Sequence, residues 1–309
     1  MDRRQGPASL VGLAVLLLVA TAADAPQLPI REARWLKSPN LVADLTTLPR
    51  ECLASPKDKT LRQSVAVGRE LFRSPLMLGG QAARAGLSCS SCHRNGRTNP
   101  HFHFPGISGE PGTADVTASI MSSHRGDGIF NPKPIPDLGG DPKKLKISRD
   151  PAKSDLRTFI HGLITQEFDG PEPSATALSS ITDYVRALKM SACPKGTNVP
   201  ISLDAKLAEI DSAVELAREA YRSGDAGTGR DLLSAARSTL GAIDERYQLA
   251  GLESSRADLA SASETLFELQ ENAARDWQDW QRDWPQRKRR LLAVERKSLF
   301  NPTVLQKQL

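Results

Sequence analysis

The run Cys89-Ser90-Ser91-Cys92-His93 sets two thiols three positions apart and an imidazole directly after the second. On a helical turn the two sulfurs lie about one turn apart, and the histidine projects from the same turn. This is the spacing that attaches a c-type haem: two thioethers anchor one porphyrin, and the histidine Nε2 becomes an axial iron ligand. A dithiol redox pair or half of a zinc site would use the same Cys-x-x-Cys. Neither requires the adjacent histidine, and no second Cys-x-x-Cys exists to complete a four-sulfur zinc site.

The elements that must position this run can be read from hydrophobic periodicity. Residues 26 to 50 are proline-punctuated and read as an extended lead-in. A helix is predicted from Thr60 to Phe72, with Leu61, Val65, Gly68, Leu71 and Phe72 near one face, and Pro75 ending it. Gly79-Gly80 loosens the chain before the attachment run. From Asn95 to Ser154 glycine and proline dominate, as expected where a chain wraps a cofactor that fills part of its core. Two further helices are predicted, Asp155 to Glu167 and Thr176 to Lys189.

Composition sets the frame. With 39% hydrophobic and 25% charged residues over 309 positions, the chain can bury a core, and its length allows about two domains. The formal net charge of +5 is mildly basic, and no nucleic-acid-binding module is present to use it. Arg3 and Arg4, an apolar run from Leu10 to Ala20 and the small residues of Ala20-Thr21-Ala22 read as a signal peptide over residues 1–22. The expected destination is the periplasm, with an uncleaved membrane anchor as the alternative. In that oxidising compartment the remaining pair, Cys52 and Cys193, favours a disulfide over two free thiols. Such a bond would tie the two ends of the attachment region and, by loop entropy, add about 4–5 kcal/mol.

Gly68-x-x-x-Phe72 and Ile181-x-x-Tyr184-Val185-x-x-Leu188 resemble the crossing terminal helices of class I cytochromes c. Gly68-Arg69-Glu70-Leu71-Phe72 followed by Leu87 to His93 is also similar to the N-terminal haem domain of bacterial dihaem cytochrome c peroxidases. The resemblance spans roughly residues 52 to 193 and departs from the peroxidases in holding one Cys-x-x-Cys-His rather than two. It implies a mainly α, loop-rich haem domain over residues 52–195, one covalent haem c, and a methionine sixth ligand before the last helix. Met121 is the only methionine between His93 and that helix, and His161 is the next candidate. Ordinary packing is the competing reading for Met121. Arg125 could neutralise a haem propionate or be a solvated turn charge.

After Pro200 proline nearly vanishes. Leu203, Leu207, Ile210, Val214, Ala217 and Tyr221 recur at heptad spacing, followed by Leu233 to Tyr247, then by Leu259 to Ala273 with Trp277, Trp280 and Trp284. Residues 200–309 are therefore expected to form a three-helix bundle or coiled-coil hairpin. The tryptophans are at core spacing, while Arg287, Lys288, Arg289, Arg290, Arg296 and Lys297 make either a solvated face or a docking surface for an acidic redox partner or anionic lipid. The expectation is an exported single-electron carrier. The alternatives are a peroxidase-like haem enzyme with an open sixth site, using His101, His103 or His124, and a haem-bearing sensor or assembly subunit.

Overall fold

The computed structural model describes residues 28–117, 120–193, 198–272 and 277–309. The signal segment and Ala273 lie outside them. The chain is mainly helical, with strand confined to three two-residue antiparallel ladders among the described residues.

The segment before Cys52 is not simply extended. A 3₁₀ turn (Arg31–Trp35), helix α1 (Leu41–Thr46) and strand β1 (Thr47–Leu48) follow one another. The short apolar stretches find partners: Ile30 and Leu45 bury against Leu299 and Leu305 near the C-terminus, and β1 pairs with β6 (Val199–Pro200). Period-based reading misses such short elements because their partners are distant in sequence.

Helix α2 (Lys59–Arg73) starts where Asp58 accepts a hydrogen bond from the Leu61 amide (2.7 Å), one of the four donors that a helix start leaves unpaired. Two short helices follow, α3 (Gly80–Ala85) and α4 (Cys89–Cys92). Strands β2 (His93–Arg94) and β3 (Arg97–Thr98) form a hairpin across Asn95-Gly96, both at positive φ, and β4 (Thr113–Ala114) pairs with β5 (Lys133–Pro134). That two-residue turn suits Asn-Gly because it requires left-handed backbone at both positions. Helix α5 (Leu156–Gly162) widens into a π-helical turn (Leu163–Glu167), and α6 (Ala175–Ala187) is capped by Ser174.

Helices α2 and α6 pack backbone to backbone. A Cβ added at Gly68 would lie 1.9 Å from the Ser180 carbonyl oxygen. The approach brings the Phe72 and Tyr184 rings to 5.1 Å.

The C-terminal part contains four long helices rather than three: α7 (Leu203–Arg222), α8 (Ala226–Arg246), α9 (Glu253–Glu271) and α10 (Gln278–Val294), followed by α11 (Pro302–Gln306). The predicted third helix is two, because α9 ends at Glu271 and the tryptophans belong to a new helix. Pro285 sits inside α10 rather than terminating it. Trp280 and Trp284 stack at 4.7 Å, and both are buried. Trp284 Nε1 and Lys288 Nζ each donate to Asp211 of α7 (2.6 Å), and Arg290 pairs with Asp258 of α9. Lys288 and Arg290 are thus paired to neighbouring helices, while Arg289, Arg296 and Lys297 remain exposed. Residues 52–195 and 200–309 do not bury separate cores: one apolar cluster runs from Val65 and Phe72 through Tyr184 and Leu188 to Leu207, Leu240 and Trp284.

Cys52 and Cys193 are joined by a disulfide that closes 141 residues. Among the described residues, no helix is long and apolar enough to cross a membrane.

Two stability predictions follow from the packing. Gly68→Ala is expected to cost about 3 kcal/mol or more by chemical denaturation, since backbone must move, whereas Gly241→Ala in α8, with nothing within 4 Å of the added Cβ, gains up to about 1 kcal/mol. Replacing both Cys52 and Cys193 by alanine lowers stability by about 2–4 kcal/mol through the freed loop. Equal effects of the two glycine variants would contradict the close crossing.

Candidate haem-attachment site

The attachment run forms a single helical turn with a reciprocal cap: the Ser88 amide donates to Ser91 Oγ (3.0 Å), and the Ser88 side chain caps the start. This fixes Cys89 and Cys92 one turn apart, and both are unpaired. Burial pushes each thiol up to about 12, so neither forms a thiolate at neutral pH. Cys89 packs against both the α2/α6 core and a second apolar cluster of Trp35, Leu78, Ala82, Leu87, Phe102, Ile107, Met121 and Ile135, and Cys92 packs against the second. The attachment turn therefore lies where two apolar clusters meet.

His93 caps the turn and enters the β2–β3 hairpin. Its Nδ1 donates to the Pro136 carbonyl oxygen (3.0 Å). That bond selects the tautomer whose Nε2 carries a free lone pair, the form that a metal-binding imidazole needs. Burial lowers the His93 pKa to about 4 against the opposing Pro136 bond, so the ring is neutral at ordinary pH. Phe72 lies 6.4 Å from the His93 ring, linking the α2–α6 crossing to the imidazole. Pro136 is held by its neighbours: the Ile135 amide donates to Gly112 and Thr98 Oγ1 donates to the Ile135 carbonyl. The role of Pro136 is not legible in the sequence beyond a proline-rich run. The Asn95-Gly96 hairpin that orients His93 was readable as a turn dipeptide.

Met121 is 1% exposed and belongs to the same cluster as Cys89 and Cys92. The residues after it are latched to the π-helical turn and its exit. Ser122 Oγ donates to the Gln166 carbonyl, the Ser123 amide to Asp169 Oδ2 (2.7 Å), and Arg125 pairs with the buried Glu167. Burial opposes ionisation of Asp169, yet hydrogen bonds from His124 and Ser123 hold its carboxyl below the usual range. Arg125 is thus committed to Glu167 and Gln166.

The histidines are placed differently. His161 Nε2 donates to the exposed Glu172 carboxylate at 2.9 Å. His101 is paired with Asp44 (2.6 Å) and His124 with Asp169 (2.9 Å). Among the described residues, no three His, Cys, Asp or Glu side chains converge as a ligand cluster for one metal ion. The chain matches no family model, no curated protein and no solved structure.

The latch gives a local prediction. In Asp169→Asn, amide exchange at Ser123 is expected to speed about tenfold, the equivalent of one lost charge-assisted hydrogen bond, while global stability changes little. Arg125→Ala costs about 1 kcal/mol, because its outer half is screened by solvent. Unchanged Ser123 exchange in Asp169→Asn would mean that the segment is held by packing alone.

Proposed function

We propose that this chain is an exported monohaem c-type cytochrome that passes single electrons through a covalently attached haem. The observation that carries the reading is the attachment turn itself: two half-buried, unpaired thiols on one turn, followed by a neutral imidazole whose Nδ1–H is already committed to Pro136. When bound, the haem would supply a reversible one-electron iron couple. The residues of the chain supply attachment, ligation and burial. Cys89 and Cys92 would hold the ring edge through thioethers, and His93 would present Nε2 as the proximal ligand. Pro136 fixes the imidazole plane and strengthens its donor character through Nδ1.

Met121 is the better candidate for the distal position, because it is buried in the cluster that receives the cysteines while the His161 Nε2 is engaged by Glu172. A thioether there would favour the reduced state and close the iron to small ligands. The close crossing at Gly68, with Phe72 and Tyr184 beside His93, supports a class I cytochrome c-like arrangement over residues 52–195. The apolar cluster around Trp35, Phe102 and Ile107 would exclude water from the iron.

Optical and EPR spectra of the exported protein, ferric and ferrous, test this. Haem is expected to resist acid–acetone extraction in the parent and to be extractable from Cys89→Ser/Cys92→Ser. A low-spin spectrum with the weak near-infrared band of methionine–iron ligation, lost in Met121→Ala, is the expected result. A low-spin spectrum unchanged in Met121→Ala would move the ligand to a histidine. A high-spin form that shifts on adding peroxide would overturn the carrier in favour of a peroxidase-like enzyme.

A further inference from the structure

Behind the attachment turn, on the side lined by Ser88, Ser90 and Ser91 rather than by the cysteines, lies a cavity of about 180 Å³. One water needs only roughly 10–15 Å³ on the same measure. The remaining walls come from the 3₁₀ turn at Arg31–Trp35, from α7 and from α8. Five cationic side chains (Arg31, Arg73, Arg94, Lys206 and Arg246) face three carboxylates (Glu32, Glu209 and Glu245).

Two of these cations stand out. Arg94 and Arg246 are each 5% exposed, and they hang from neighbouring carbonyls of α1: Arg94 donates to Asp44 O and Arg246 to Leu45 O (2.7 Å). Burial, countered by Glu32 and Glu245 and reinforced by repulsion from Arg94, makes Arg246 easier to deprotonate than a free arginine. Its remaining contacts are the Leu299 carbonyl and the face of Phe300, and no carboxylate pairs with it directly among the described residues. Arg94 is held by Glu32 at 3.2 Å and more loosely by Asp44 at 3.8 Å, whose other oxygen serves His101. The Nε of Arg94 and the Nε1 of Trp35, both on residues lining the cavity, are buried N–H groups without an acceptor. Arg31 pairs with Glu245, Arg73 and Lys206 with Glu209, and Arg94 with Glu32, so Arg246 is the cavity cation without a carboxylate partner among the described residues, and the lining carries two more cations than carboxylates.

We propose that this cavity binds a small multivalent oxyanion of the phosphate class, held by Arg31, Arg94, Arg246 and Lys206 between the attachment turn and α8. Planar guanidinium forks match tetrahedral oxyanions in pairs of hydrogen bonds. Arg31 and Lys206 side chains are partly exposed and give the anion its route from solvent. The site is independent of the electron-transfer reading, since none of the attachment residues Cys89, Cys92 or His93 lines it.

The test is titration of the full chain with inorganic phosphate, followed by calorimetry and by phosphorus NMR, at constant ionic strength against chloride. Saturable one-to-one binding is expected, with a melting temperature that rises with phosphate. Arg31→Gln is expected to weaken binding about tenfold and Lys206→Gln several-fold, because each removes one charge from the mouth. Glu245→Gln, which removes the carboxylate opposing Arg31, is expected to tighten it several-fold. Arg246→Gln should abolish it. Should that variant fail to fold, the opposite signs of Arg31→Gln and Glu245→Gln still decide. A response that chloride reproduces, or affinity unmoved in both variants, overturns the proposal.

Discussion

The contact on which the rest of the structure depends is the approach of α2 to α6 at Gly68. With the Ser180 carbonyl oxygen 1.9 Å from where a Cβ would sit, only glycine lets the two backbones meet. Everything that orients His93 from this side follows from that distance. Phe72 lies one turn beyond Gly68 and reaches both Tyr184 and the imidazole. From the other side, Pro136 fixes the ring through Nδ1. The imidazole is thus bonded at Nδ1 and flanked by the tilted Phe72 ring, and its Nε2 is left for a ligand.

The opposite face of α2 explains why the C-terminal helices belong to the same body. Arg73 reaches Glu51 and Asn95 on one side and Glu209 of α7 on the other, and Tyr184 donates to Glu51 at 2.7 Å. Burial works against the Arg73 charge, but the Glu209 and Glu51 carboxylates outweigh it and raise its pKa. Glu70 fares less well. Burial raises it, Ser212 of α7 hydrogen-bonds one oxygen, and Oε1 has no partner among the described residues. Buried charges in such a network are held by mutual neutralisation, so removing any one member costs more than the pair it breaks.

The sequence carried this unevenly. The single turn at Cys89–Cys92 and the α2 pattern were legible, because each rests on neighbours a few positions away, whereas the caps at Asp58 and Ser174 emerge only in the structure. The pairing of Cys52 with Cys193 was legible by elimination. Heptad spacing in α7 and α8 showed which faces were apolar but not that α2 helps to cover them, since periodicity says nothing about what lies opposite. The division of the last expected helix escaped for a related reason: Leu269 and the tryptophans continue one apolar rhythm past the end of α9, where Asn272 is extended. Pro136, Glu172 and Glu167 act through contacts across 43, 11 and 42 residues, beyond any local pattern.

These contacts bear on how the C-terminal helices can be interpreted. An appended docking arm should be separable from the unit that it serves. Here α7 supplies Glu209 to Arg73 and Ser212 to Glu70, and α8 supplies Arg246 to the carbonyl of Leu45. Removing residues 200–309 would leave a guanidinium short of a counter-charge and a carboxyl without its hydroxyl, both beside the α2–α6 crossing. Such a truncation would therefore disturb the imidazole before it reported on any partner. The helices are better understood as a second wall behind α2 and the turn at Cys89–Cys92, and a role in recognition must reside in side chains that the wall leaves outward, such as Arg289, rather than in the wall as a whole.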